Sequence, residues 1–318
     1  MSQSVLITGA TGFVGQGLVT HLRAGGRPIR LALRDVGDAA GDSVAIGDIG
    51  PETDWSRALD GIDTVIHLAG RAHVTARERQ ALAQFRKVNA AGTRRLAEQA
   101  EQAGVRRFVL ISSVKAAADN TGMHAIQESE PANPRTSYGI SKLEGEQALW
   151  EVARNMDAVV LRPPLVYGPG VRANFRALLR LVNSGLPLPL GAVRNRRSMI
   201  ARDNLVSAIA AAMAASGVPG KTFYVTEGPP LSTPTLIRGL AKALGKPVRL
   251  MSFSPALMTA VAILAGRRET ADSLLGSLAV NGFAFRAATG WEPPVTLEAA
   301  FNDVAKWYMQ TVGRVSKA

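Results

Sequence analysis

Tyr138 and Lys142 stand four residues apart in the segment TSYGISKLEGE, and Ser113 lies twenty-five residues upstream of Tyr138, in LISSV. Four residues is about one helical turn, so on a helix the phenol and the ammonium leave from the same face. A free tyrosine titrates near ~10, too high to trade a proton readily at neutral pH. A neighbouring ammonium favours the phenolate and lowers that value. With a serine hydroxyl brought to the same point, the three groups form a set able to pass a proton to or from an oxygen. Taken alone, the same spacing would also suit a tyrosine and a lysine on a solvated helix face.

A second pattern sits near the start of the chain. The segment LITGATGFVGQGL, Leu6 to Leu18, places Gly9, Gly12 and Gly15 at steps of three. This is either a tight turn into an ordinary helix or a seat for negative charge. Glycine permits the sharp turn and lets phosphate approach the amides at a helix start, where the dipole favours an anion. The apolar strand before it and the amphipathic helix after it supply the context of a dinucleotide pyrophosphate site. A positively charged nicotinamide ring beside Tyr138 would lower the phenol's pKa further.

Those groups must be carried by a scaffold. Short β-branched runs, SVLIT, IRLAL, TVIHLA, RFVLIS and AVVLR, read as buried strands, and Val14–Ala24 and Phe85–Ala103 read as helices between them. Strand and helix in alternation predict an α/β fold: a Rossmann-type, doubly wound parallel sheet with right-handed crossovers. After about Pro169 the pattern turns to helices, few strands and many Gly-Pro breaks. We expect residues 1–168 to form the dinucleotide-binding domain. Residues 169–318 would mainly form a smaller α/β substrate lobe over the carboxyl edge of the sheet, with some segments returning to the first domain.

The 318 residues contain no cysteine, which excludes a disulfide framework and thiolate metal sites. His67 falls inside a strand and reads as a core histidine, while His21, His73 and His124 have no ligand spacing, so no metal is expected. The formal charge of +12 comes from dispersed basic residues, the densest cluster being Arg194–Arg197, and gives no reason to expect nucleic acid. The chain opens on polar residues and a strand, so a cytoplasmic location is expected. The longest apolar run, Ala256–Ala265, is far shorter than the ~20 residues of a span. It reads as a packed helix, the alternative being contact with a membrane surface; stable insertion is not expected.

The segments TGATGFVG, GDI, HLAG, VNAAGT, SSV, YGISK and RPPLVYGPG together resemble the extended short-chain dehydrogenases/reductases, in the nucleotide-sugar branch of the NAD-dependent epimerase/dehydratase family. The resemblance implies an enzyme. In it Ser113 hydrogen-bonds the substrate oxygen, Tyr138 is the acid/base, and Lys142 binds the nicotinamide ribose and tunes Tyr138. Gly9, Thr11, Gly12, Phe13, Val14 and Gly15 would hold the dinucleotide, Asp48 and Ile49 would meet the adenine, and Ala69 and Asn89 would line the cofactor path. Pro163 to Val166 would border the nicotinamide. Arg34, at the end of the second strand, could take the extra phosphate of NADP(H), while the adjacent Asp35 would suit NAD(H).

For the substrate, a UDP-sugar, the resemblance points to Arg197 as a phosphate-facing cation and Asn174 as a contact to the diphosphate or sugar; a solvated charge and a helix cap are the plain alternatives. The family's 4,6-dehydratases need an Asp-Glu pair directly after the active Ser or Thr, and Val114 and Lys115 stand there instead. The block ANFRALLRLVNSGLPLPLGAVRNRRSMI is similar to enzymes that reduce a 4-keto-6-deoxy-N-acetylhexosamine at carbon four, giving UDP-N-acetylquinovosamine for bacterial O-antigen. The alternatives are a UDP-hexose or UDP-N-acetylhexosamine 4-epimerase, a steroid-type reductase with the same trio, and a dinucleotide sensor that transfers no hydride. The family commonly pairs through the helix that begins at Tyr138, so a homodimer is an expectation.

Overall fold

The computed structural model describes residues 4–36, 41–72, 78–264, 266, 272 and 274–315. Seven parallel strands form its centre: β1 (Val5–Thr8), β2 (Ile29–Leu33), β3 (Ser43–Ala45), β4 (Thr64–His67), β5 (Arg107–Ile111), β6 (Asp157–Arg162) and β9 (Lys221–Tyr224), in the order β3-β2-β1-β4-β5-β6-β9. β1, β4 and β5 are buried at every residue, which is why they read as unbroken apolar runs. The chain winds outward from β1 to β3, then returns to start β4 on the other side of β1. That reversal opens a crevice at the carboxyl ends of β1 and β4.

Helix α1 (Phe13–Ala24) leaves the glycine turn, and α7 (Arg202–Ala214) packs on the same side, their apolar faces sharing a core with β1, β4 and β6. On the other face lie α2 (Ser56–Leu59), α4 (Thr93–Gln102) and α5 (Ser137–Val152). The stretch expected as one helix over Phe85–Ala103 is instead α3 (Glu78–Arg86), a π-helical turn over Lys87–Gly92, and then α4. The extra residue of a π turn is a local distortion that tends to occur at functional sites; here it carries Asn89.

The later part of the chain surrounds a separate core. A two-stranded parallel sheet, β7 (Leu165–Tyr167) with β8 (Met199–Ala201), is flanked by α6 (Ala173–Asn183), α8 (Thr233–Leu244) and α11 (Leu297–Val315), while α10 (Phe283–Thr289) packs back on the large sheet. Tyr167 stacks on Phe175 at 5.2 Å and tilts against Phe301 at 5.5 Å. Both β9 and α7 belong to the large sheet's layers, so the chain passes from one core to the other more than once.

The sequence expectation of a packed helix holds on one side only, with Met258 against the second core. The apolar run does form a helix, α9 (Pro255–Leu264), but none of its residues is buried. Leu257, Val261 and Leu264 are 59%, 58% and 88% exposed. Among the described residues no helix is long and apolar enough to cross a membrane.

His67 is a satisfied core histidine. Its Nδ1 lies 2.7 Å from Thr8 Oγ1 and its Nε2 3.2 Å from Thr93 Oγ1. Burial, helped by the Lys142 charge, pulls its pKa from 6.5 to about 3. Below pH 6.5 the unfolded chain takes up a proton that the folded chain refuses until about pH 3, so this group lowers stability as pH falls through that window. The slope approaches ~1.4 kcal/mol per pH unit. Urea melts between pH 7 and pH 5 check this: His67→Gln should show a flatter decline than the wild type, and equal slopes would refute the assignment.

Candidate active site

The crevice at the β1/β4 reversal holds a cleft of about 270 Å³ lined by the glycine turn, the loop after β4, Ser112 and Ser113, Tyr138 and Lys142, and Pro163, Pro164 and Val166. Gly9 has φ +69°, and a Cβ there would come within 2.7 Å of Ala69 N; a Cβ on Gly15 would strike Gly9 O at 2.1 Å. The first and third glycines therefore close the turn on itself. Gly12 faces the cleft and precedes α1 as its N-cap with no side chain capping the helix start. The turn thus leaves the amide-rich end of α1 open to an anion, with Phe13 and Val14 at the rim. Thr11 is exposed on the turn, its carbonyl accepting from Gln16 Nε2 at 3.1 Å.

Helix α5 starts where Thr136 Oγ1 accepts from Gly139 N at 3.3 Å, and Asp119 braces that start by accepting from Arg135 N at 2.7 Å and from Thr136 Oγ1 at 2.9 Å. Tyr138, Lys142 and Glu146 then fall at steps of four on one stripe of the helix, turned towards the carboxyl ends of β5 and β6. The Tyr138 ring lies edge-on to Phe85 at 5.9 Å. Burial pushes its phenol up, while a hydrogen bond with Ser113 pulls it down. The lowering expected from the sequence is thus not supplied by the protein alone, because Lys142 Nζ is turned to the Ile111 carbonyl at 2.9 Å. Burial brings Lys142 itself down from 10.5 to about 8, against the opposing pull of the Glu146 charge.

Glu146 was not singled out from the sequence, nor was Arg162. The two form a buried ion pair, with Arg162 Nη2 2.6 Å from Glu146 Oε2 and Nε 3.0 Å from Oε1. Glu146 also accepts a hydrogen bond from Ser112, the neighbour of Ser113. Arg162 lies over the Tyr224 ring at 5.8 Å. The spacing from Lys142 to Glu146 repeats that from Tyr138 to Lys142, a regularity that could have marked Glu146.

The other expected cofactor residues fall in three places. Pro163 and Val166 line the cleft. Arg34 and Asp48 lie at the carboxyl ends of β2 and β3 and pair with each other at 2.6 Å, both largely exposed, while Ile49 packs inward beside Gly92. Ala69 and Asn89 are not themselves on the cleft wall. Ala69 N donates to Thr8 Oγ1 at 3.1 Å, and the buried Asn89 clamps Arg71 through its backbone N–H at 2.8 Å and carbonyl at 3.0 Å. These two set the loop whose Leu68, Gly70 and Ala72 face the cleft.

Asn174 and Arg197 meet in a second pocket of about 280 Å³, whose walls are mostly apolar: Leu165, Phe175, Leu178, Leu181, Leu236 and Leu274. Arg197 is fixed by backbone pairing with Leu231 and Leu278, and its Nη1 donates to Gly276 O at 3.1 Å. Burial alone pulls its guanidinium below the usual arginine value, and it stays charged near neutrality. Ala173, just before Asn174, has φ +50°, a strained conformation of the kind that concentrates at binding sites. Among the described residues no cluster of His, Asp and Glu could hold a metal ion.

A parallel doubly wound sheet with a glycine turn at its reversal point, Ser113 just past the end of β5 and Tyr138 and Lys142 on the facing helix is the architecture of a short-chain dehydrogenase/reductase. More narrowly, residues 5–226 match the NAD dependent epimerase/dehydratase family, and the chain belongs to it. It is an enzyme of the NAD-dependent epimerase/dehydratase type. It is 37% identical to a UDP-glucose 4-epimerase of Vibrio cholerae, over 99% of this chain and 98% of that one. It is also 27% identical to an N-acetyl-alpha-D-glucosaminyl-diphospho-ditrans,octacis-undecaprenol 4-epimerase of Escherichia coli O157:H7, over 79% of this chain and 75% of that one. Among solved structures the fold matches MoeE5 in complex with UDP-glucuronic acid and NAD (TM-score 0.77, 23% identity, 97% and 99% of the two chains). A UDP-N-acetylglucosamine 4-epimerase from Bacillus cereus matches as well (TM-score 0.78, 20% identity, 96% and 99%).

Proposed function

We propose that this enzyme transfers hydride reversibly at carbon four of a UDP-sugar, and that its net reaction reduces a UDP-4-keto-6-deoxy-N-acetylhexosamine with NAD(P)H. One observation carries the UDP-sugar reading: short strand β7 separates two cavities. Val166 faces the cleft with Ser113, Tyr138 and Lys142, while Leu165 faces the apolar pocket with Arg197. A flat base fits against the leucines of that pocket, and a half-buried guanidinium suits the diphosphate.

The bound nicotinamide supplies the hydride. Ser113 Oγ hydrogen-bonds the carbonyl oxygen, and Tyr138 Oη gives that oxygen its proton as carbon four is reduced. Lys142, whose Nζ is held by the Ile111 carbonyl at 2.9 Å, would hold the cofactor ribose. The glycine turn and the start of α1 hold the pyrophosphate. Water loss is not part of the reading, because the residues following Ser113 are the buried Val114 and Lys115, whose Nζ pairs with Asp119 at 3.2 Å. Net reduction is supported by the likeness of the block ANFRALLRLVNSGLPLPLGAVRNRRSMI to the 4-ketoreductases. Arg34 also supports use of NADPH beside NADH.

A 4-epimerase is the second reading, favoured by the 37% identity to the Vibrio cholerae enzyme. Incubation with a UDP-4-keto-6-deoxy sugar and NAD(P)H separates them. Stoichiometric loss of the reduced cofactor's absorbance is the expected result; interconversion of two UDP-sugars with no added cofactor and no net reduction would replace it with the epimerase. In either case Arg197→Ala should weaken UDP binding by roughly 10- to 100-fold, the worth of a charge-assisted hydrogen bond. Titration calorimetry with UDP measures it, and unchanged affinity would move the diphosphate elsewhere.

A further inference from the structure

Helix α9 is apolar on both sides. Pro255, Met258, Thr259 and Ala262 are half-buried and turned inward, Met258 onto the core of the later part of the chain. Leu257, Ala260, Val261 and Leu264 repeat the same i, i+3, i+4, i+7 spacing on the opposite side and are exposed. The segment leading into the helix continues the surface, with Met251 46% and Phe253 44% exposed. It is hydrogen-bonded alongside the loop after α6, Leu188 N to Arg249 O at 2.7 Å and Gly191 N to Met251 O at 2.9 Å, and Leu186 in that loop is 63% exposed. Singly exposed leucines need no explanation; a contiguous stripe at helical spacing marks a contact surface.

The charge around the stripe says which contact. Residues 245–266 contain no Asp or Glu, and neither does the loop after α6, residues 184–194, that pairs with the segment before the helix. Arg194 and Arg249, both exposed, stand on the two paired segments. A second copy of this chain would bring like charges together, whereas an anionic bilayer would receive the leucines among its acyl chains and the guanidinium groups among its phosphates. We propose that α9 and the segment before it dock this enzyme reversibly on an anionic phospholipid surface, the helix lying in the interface plane without spanning it. The docking is independent of which sugar the active site takes.

Flotation of the full chain with vesicles tests it. Binding to phosphatidylcholine vesicles containing phosphatidylglycerol should exceed binding to phosphatidylcholine alone by about tenfold and fall at high salt. The doubly substituted Leu257→Glu/Val261→Glu should lose about tenfold of that binding or more, with an unchanged thermal midpoint and unchanged NAD(H) affinity showing that the fold is intact. No flotation of the wild type, or equal flotation of wild type and variant, would overturn the proposal. So would a dimer in light scattering that this variant converts to a monomer, which would assign the stripe to a second copy.

Discussion

Tyr138→Phe lowers kcat by roughly 10²- to 10⁴-fold, the range spanned by one positioned proton donor, and leaves binding of the dinucleotide nearly unchanged. Only the phenolic oxygen is removed; the ring keeps its edge-on contact with Phe85 at 5.9 Å, so the helix start is not disturbed. The sign of the pH dependence follows from the same environment. Burial holds the phenol above its ordinary value, so the donor is protonated at neutral pH and ready for ketone reduction. In that direction the wild-type rate is flat through neutrality and declines at alkaline pH. Lys142 contributes to that decline, since an ammonium brought down to about 8 is lost above that pH. In the oxidative direction the phenolate is required, and the rate rises with pH. Steady-state kinetics across pH, with NADH binding followed by fluorescence, check both limbs. Turnover in Tyr138→Phe within a few-fold of the wild type would take the phenol out of the chemistry.

What could be read from the sequence depended on whether a feature is local. The strands of the sheet centre were legible because burial on both faces demands continuous apolar residues, as in VLIT and TVIH. The glycine turn was legible because its backbone has no room for a Cβ at Gly9 or Gly15, a steric demand that only one residue type meets. Strands of three residues such as β3, β7 and β8 carry too little periodicity to show, and they form because a neighbour pairs with them. The π turn at Lys87–Gly92 was hidden inside a continuous helical pattern. The apolar run of α9 reads as a packed helix or a membrane-surface contact, and it packs on one side only, through Met258; how much of it is buried depends on what lies opposite, which composition does not contain. Arg162 carries no sequence signal, because its partner arrives from a helix sixteen residues earlier in the chain and nothing local to the strand marks the pair.

That partner carries the second large effect. Glu146 and Arg162 side chains are 2% and 8% exposed, so neither charge has water to fall back on. Glu146→Ala leaves a buried guanidinium without its counter-charge and should cost about 3–5 kcal/mol of unfolding free energy. Two further consequences reach the active site: Ser112 loses its acceptor one residue from Ser113, and Lys142 loses the negative charge that opposes its burial. The Lys142 pKa then falls below about 8, and the alkaline decline of the reductive rate moves to lower pH. Glu146→Gln separates the effects, since the amide keeps an acceptor for Ser112 while the charge is gone. It should be less destabilised than Glu146→Ala and still show the displaced pH limb. Replacing both partners, Glu146→Leu with Arg162→Met, removes the unpaired charge and should recover much of the stability without restoring the limb. Urea unfolding and kcat against pH for the four proteins decide it. If the pH limb tracks stability across the set instead of tracking the charge at position 146, the pair only props the fold, and Lys142 is tuned by burial alone.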